Sequence, residues 1–202
     1  MRRTEIGHDA SGTGGAVAAG AAPSVAAGLE LLAAGGNAAD AAVATILALA
    51  VTDYGLFAIG GEIPWLIHDA QSERVTVLSG VGRAPLSAEA IAWYWANEIP
   101  DMGGYRAMPV PGAVHLCMTA LELFGTKSFA EAVAPALALL DAGELAWHGS
   151  LAVTLRKLIE GERQAPGSRE AKLWAACERF YRGDIADDLV AWYRETGSFL
   201  TH

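Results

Sequence analysis

Val25, Leu29 and Leu32 fall on one helical face, which predicts an amphipathic helix over Val25 to Ala34. Ser24, just before it, is the expected N-cap. Gly35 and Gly36 end the helix, because the residue past a helix favours positive φ, which glycine adopts without strain. Asn37 then caps a second helix, about Ala38 to Val51, with Asp40 in its first turn facing the positive end of the helix dipole. This second helix is apolar on nearly every face and is expected to be buried all round. After the Gly-rich passage "YGLFAIGGEIP", Ile63 to His68 and Arg74 to Ser79 predict a hairpin turning through Asp69 to Glu73. Ile63, Trp65 and Ile67 lie on one face of its first strand and Leu66 on the other. With both faces apolar, the sheet is expected to be covered on both sides.

Helical patterns fill the rest: Ser87 to Asn97, Gly112 to Phe124, Phe129 to Leu140, about Ser150 to Glu160, Arg169 to Tyr181, and Asp184 to Glu195. Ser128 and Glu131 form a capping box at the start of the Phe129 helix. Gly161 to Ser168 is the expected exposed loop. "GAVAAG", near Gly15, and "YRAMPV", Tyr105 to Val110, are the only further strand candidates. No internal repeat or linker divides the chain, so residues 1–202 are expected to form one α+β domain, rich in helix and poor in strand. A two-strand sheet buried on both faces leaves its edges unsatisfied, at ~1–3 kcal/mol for each unpaired backbone group away from water. A second polypeptide is therefore expected to supply more strands.

Composition narrows the function. The chain has 202 residues, enough for a sizeable core, and is 52% hydrophobic with a mean hydropathy of +0.27, which excludes disorder. Its longest apolar run, Ala41 to Val51, falls short of the ~20 residues of a bilayer span, so no membrane partner is expected. Net charge is −9 with Lys and Arg scattered, which argues against nucleic acid. The start "MRRTEIGHDASGTGG" has no apolar run behind its arginines, so a leader is not expected and a cytoplasmic location is. Cys117 and Cys177 sit in helical apolar patterns and are expected to be reduced core thiols. His8, His68, His115, His148 and His202 lack metal-ligand spacing, and "SGTGG" (Ser11 to Gly15) lacks the third glycine of a dinucleotide turn. No metal and no cofactor are expected.

Four collinear stretches carry a resemblance: "AGLELLAAGGNAADAAVATILALAVTDYG", "AIGGEIPWLIHDAQSERVTVLSGVGRAP", "VPGAVHLCMTALELFGTKSFAEAVAPALALLDAG" and "FYRGDIADDLVAWYRETGSFLT". Together they resemble the large subunit of the γ-glutamyltransferase family of N-terminal nucleophile hydrolases. The resemblance implies a four-layer αββα sandwich shared by two subunits cut from one precursor. It also implies that the catalytic threonine opens the smaller subunit, a companion chain, with its own α-amine as base. None of the catalytic residues is expected here: Thr201 and His202 resemble that opening only superficially and match the interior "LT" before a further helix. The chain is thus expected to be a portion of the large subunit, with room for a dimer of heterodimers.

Two departures from the family pattern matter. The γ-glutamyltransferases that act on glutathione hold the substrate's α-carboxylate with an arginine three residues before "AP", where this chain has Val81. Arg83 lies two residues on, at the even spacing that shares a face on extended chain, and is one candidate substrate-binding residue. Glu62, where the family's glycine turn tends to carry another glycine, is the other. Without the bidentate arginine clamp, γ-glutamyl substrates are disfavoured. The chain looks closer to the cytoplasmic branch that hydrolyses small amides. Against this enzyme reading stands a non-catalytic homologue that keeps the fold for binding or assembly.

Overall fold

The computed structural model describes residues 11–100 and 104–202. The expectations resting on residues 1–10, His8 among them, lie outside the described residues. Eight helices and one hairpin follow in order: α1 (Ala22–Ala33), α2 (Ala38–Thr52), β1 (Ile63–Asp69), β2 (Arg74–Gly80), α3 (Ala88–Asn97), α4 (Ala113–Phe124), α5 (Phe129–Ala142), α6 (His148–Gln164), α7 (Arg169–Arg182) and α8 (Asp184–Thr196). The α+β class expected from the sequence holds.

The α1–α2 corner is built from backbone chemistry. Gly35 has φ +79°, and the N–H groups of Gly35 and Gly36 donate to the carbonyls of Leu32 and Leu31, closing α1. The Asn37 side chain accepts from the N–H groups of Ala39 and Asp40, and the Asp40 carboxylate accepts from the Asn37 N–H. Ser24, however, is not the cap. α1 begins at Ala22 after Ala21, because Pro23 is tolerated in a first turn, where its missing N–H would be unpaired anyway. Ser24 is instead fully buried, its hydroxyl 2.7 Å from that of Thr52 at the far end of α2.

Helix α2 lies at the centre, packed by α1, α4 and α5, with Val43, Ala44 and Ala48 wholly buried. Alanine lets these helices approach closely. Met118 and Leu121 of α4, Phe129 and Val133 of α5, Leu155 and Leu158 of α6 and Leu173 of α7 complete one continuous core. Burying each large side chain contributes about 1.5–3 kcal/mol. Cys117 and Cys177 are free and buried in that core, as expected. Burial pushes both thiols up to about 12, which keeps them protonated and inert.

The segment expected as an exposed loop, Gly161 to Ser168, is helical as far as Gln164. The cause is Glu162, which is buried and accepts from the N–H groups of Phe129 (2.7 Å) and Ala130 (2.8 Å). The first two amides of α5 are thereby satisfied from α6, and Ser128 satisfies the next two with its hydroxyl and its carbonyl. "GAVAAG" forms no strand, and "YRAMPV" holds a short 3-10 turn, Tyr105–Ala107. Neither stretch finds a strand to pair with among the described residues.

The hairpin is antiparallel, with Trp65 opposite Leu78 and Leu66 opposite Val77. Ile63 and Trp65 are buried, and α4 packs on β2. Leu66, Val75 and Val77, on the other face, stay 71%, 61% and 66% exposed. The expectation of a sheet covered on both sides is therefore corrected among the described residues. An unbroken apolar run gives a strand two greasy faces, and the described residues cover one of them.

Candidate functional site

The hairpin brings its two ends, Gly61–Glu62 and Gly80–Arg83, against the turn Val110–Gly112 that opens α4. The Gly61 carbonyl accepts from the N–H groups of Gly112 (3.1 Å) and Ala113 (3.0 Å), and the Val110 N–H donates to the Arg83 carbonyl at 3.0 Å. Gly82 is held where no side chain fits: a Cβ there would stand 1.7 Å from the Val110 carbonyl oxygen. Backbone thus crosses backbone at this junction.

Glu62 and Arg83 are brought together but not paired. Glu62 Oε1 accepts from the Gly82 N–H at 3.0 Å, so the carboxylate grips the backbone between Val81 and Arg83. The Arg83 guanidinium is exposed, with no hydrogen bond or ion pair among the described residues. It stands on the rim of a groove of about 500 Å³, whose walls include Pro85, Leu86, Tyr193, Phe199 and Leu200. Val81 is 58% exposed. Arg83 thus leaves an exposed cation on the rim of a groove with largely apolar walls.

Tyr181 contributes a contact that no sequence signal pointed to. Its hydroxyl donates to the Pro111 carbonyl (2.7 Å) and accepts from the His115 N–H (3.1 Å), fixing the Val110–Gly112 turn to α7. Burial pushes its phenol above the ordinary value, so it stays a neutral donor. The Phe-Tyr-Arg-Gly stretch marked the residue, but its partners lie 66 and 70 positions away.

A second groove, of about 760 Å³, runs along β1 from Ile63 to His68, with Ala38, Ala41, Thr45 and Leu49 of α2 as its opposite wall. Pairing of β1 to β2 uses one edge of β1; its other edge lines this slot. Among the described residues no group of three or more His, Cys, Asp or Glu side chains is placed to hold a metal ion. No described helix is long and apolar enough to cross a membrane.

Residues 24–147 match the Gamma-glutamyltranspeptidase family. The chain is 32% identical to the Glutathione hydrolase proenzyme of Pseudomonas sp. (strain A14), over 86% of this chain and 35% of that protein. It is 35% identical to the Acylase ACY 1 proenzyme of Pseudomonas sp. (strain SE83), over 66% of this chain and 26% of that one. Among solved structures it resembles the gamma-glutamyltranspeptidase from Pseudomonas nitroreducens, at a TM-score of 0.71 and 26% identity, covering 95% of this chain and 64% of that one. The match spans about a third of the first of these relatives and about a quarter of the second.

Proposed function

This chain belongs to the gamma-glutamyltranspeptidase family, and on that premise we propose that it is one domain of the large subunit of an amide hydrolase whose nucleophile opens a companion chain. Relatives named as hydrolases and acylases support amide hydrolysis in general. The observation that carries the two-chain reading is the unfinished sheet. Among the described residues β1 pairs along one edge only, its other edge bordering an apolar slot, and Leu66, Val75 and Val77 face outward uncovered. A strand added along β1 would satisfy its backbone groups, and a second layer would cover the open face.

In this reading the companion's first threonine attacks the amide carbonyl with its hydroxyl oxygen, while its own α-amine takes the proton. The C–N bond then breaks, the amine leaves with that proton, and an ester-linked acyl-enzyme remains. Water attacks the ester, releasing the acid and the threonine hydroxyl. Residues of this chain serve binding: Arg83 meets an anionic group of the substrate, and Glu62 holds the backbone that presents it. Valine at position 81 gives no bidentate contact to an α-carboxylate, so hydrolysis of a small amide is favoured over transfer from glutathione. A reducing, cytoplasmic setting agrees with two free buried thiols.

Steady-state assay of the purified enzyme tests the substrate assignment. Small amides are expected to be hydrolysed with a higher kcat/KM than γ-glutamyl-p-nitroanilide. Efficient γ-glutamyl transfer to a dipeptide would overturn it.

A further inference from the structure

Helix α4 cannot cap its own start. The four leading N–H groups of a helix find no carbonyl within it, and the cap residue here, Gly112, has no side chain to offer. Three of those four are met from elsewhere. Gly112 and Ala113 donate to the Gly61 carbonyl of the hairpin, and His115 donates to the Tyr181 hydroxyl of α7 at 3.1 Å. The same hydroxyl donates to the Pro111 carbonyl at 2.7 Å, so one phenol grips both sides of the cap. The phenol ring lies edge-to-face with those of Phe180 (centres 4.8 Å apart) and His115 (6.1 Å), which fixes its direction.

The turn that this phenol holds is the turn that holds Arg83. On one side of Pro111, the Val110 N–H donates to the Arg83 carbonyl at 3.0 Å. On the other side, Gly112 donates to the Gly61 carbonyl, next to Glu62. The junction has no slack to absorb a shift. A Cβ on Gly112 would stand 2.0 Å from the Gly80 carbonyl oxygen, and one on Gly82 1.7 Å from that of Val110. Close-packed backbone transmits a displacement, so a moved Pro111 carries Val110 and, with it, the backbone of Arg83.

We propose that Tyr181 is a positioning residue for Arg83: its hydroxyl fixes the Val110–Gly112 turn, and the turn fixes where the guanidinium meets an anionic group of the substrate. The selectivity it supports is for amides whose acyl part carries a carboxylate, over neutral amides of the same shape. Tyr181 itself touches no substrate and takes no part in bond making. The proposal rests on the binding role given to Arg83 above and deepens it.

The test uses the active enzyme with its companion chain and two amides. Succinamate ends its acyl chain in a carboxylate, and butyramide has a methyl group in that place. Arg83→Gln is expected to raise KM for succinamate and leave butyramide unaffected. Tyr181→Phe is expected to raise KM for succinamate about threefold to tenfold, the worth of one hydrogen bond, with kcat and the KM for butyramide within about twofold of the parent. Added to Arg83→Gln, it is expected to change KM for succinamate by less than about twofold, since both substitutions act on one contact. A 4-aminophenylalanine at position 181, which keeps a donor for the Pro111 carbonyl, is expected to restore the preference for succinamate. Ser24→Ala, which removes a buried hydroxyl contact between α1 and α2, is the control for lost stability: Tm falls, and the ratio of the two KM values does not change. An equal rise for both amides, or a full further rise on top of Arg83→Gln, overturns the proposal and leaves Arg83 in its binding role. If the parent does not favour succinamate, or Arg83→Gln keeps that preference intact, the binding role itself fails and the positioning role with it.

Discussion

The carboxylate of Asp40 and the hydroxyl of Thr126, 86 residues apart, meet at 2.8 Å where the α4–α5 turn covers the start of α2. The same carboxylate, wholly buried, accepts from the N–H groups of Thr126 (2.9 Å), Lys127 (3.0 Å) and Asn37 (2.9 Å). Two further bonds run alongside: Asn37 Nδ2 donates to the Phe124 carbonyl, and Lys127 Nζ to that of Ala34. Arg169 closes the third side, donating to the carbonyls of Leu121, Glu122 and Lys127. One buried charge thus fastens the start of α2 to the α4–α5 turn, and through it sets where α4, and the junction at its head, can lie.

Replacing that carboxylate by an amide puts N–H groups where three backbone N–H groups and a hydroxyl need an acceptor. Asp40→Asn is expected to destabilise the fold by about 2–4 kcal/mol, read from thermal or urea unfolding. A Tm within a degree of the parent would contradict the role given to Asp40.

The same residue sets an acid limit. Burial pushes the Asp40 carboxyl up, but hydrogen bonds from Asn37, Lys127 and Thr126 outweigh it, and the pKa is lowered from its ordinary 3.8. A group whose folded pKa lies below the unfolded one contributes stability fully above the unfolded value and loses it as pH falls through the folded one. Stability is therefore expected to decline as pH drops below about 4, with a shallower decline in Asp40→Asn, whose side chain does not titrate. Parallel acid limbs for the two proteins would contradict this.

Glu162→Ala is expected to leave the Phe129 and Ala130 amides without acceptors at the buried start of α5, at a cost of about 2–4 kcal/mol. Glu162→Gln, which keeps one acceptor oxygen, is expected to cost less. Ranking the two by urea unfolding checks the assignment, and equal losses would mean that side-chain volume, not the carboxylate, matters.

How far these features were legible depends on how local their causes are. The turns and caps made by Gly35, Asn37, Ser128 and Glu131 close within four residues, and the sequence pattern announced them. Asp40 was visible as a helix-start acid, yet its main partners belong to a turn 86 positions on. The extension of α6 past Gly161 stayed hidden for the same reason, since Glu162 is fixed by amides of another helix. At the candidate site, the sequence singled out Glu62 and Arg83 only by their places beside the family motifs. That Glu62 binds the Gly82 N–H was not legible, because hairpin geometry alone brings them together.

Position 81 invites a gain of function. Val81→Arg places a guanidinium where the resemblance to γ-glutamyltransferases implies one. If the clamp position accounts for the substrate preference, kcat/KM for γ-glutamyl-p-nitroanilide is expected to rise on the order of tenfold, the worth of one good charge-assisted contact. Arg83→Gln is expected to raise KM for an anionic amide with little change in kcat. Activity that ignores both substitutions would remove Val81 and Arg83 from the substrate's path.

The most direct check of the central claim is intact-mass analysis with amino-terminal sequencing of every chain in the purified, active enzyme. A second chain beginning with threonine is the predicted result. Full amide hydrolysis by residues 1–202 alone, as a monomer, would contradict it, as would a companion that begins with glycine or valine in an inactive protein.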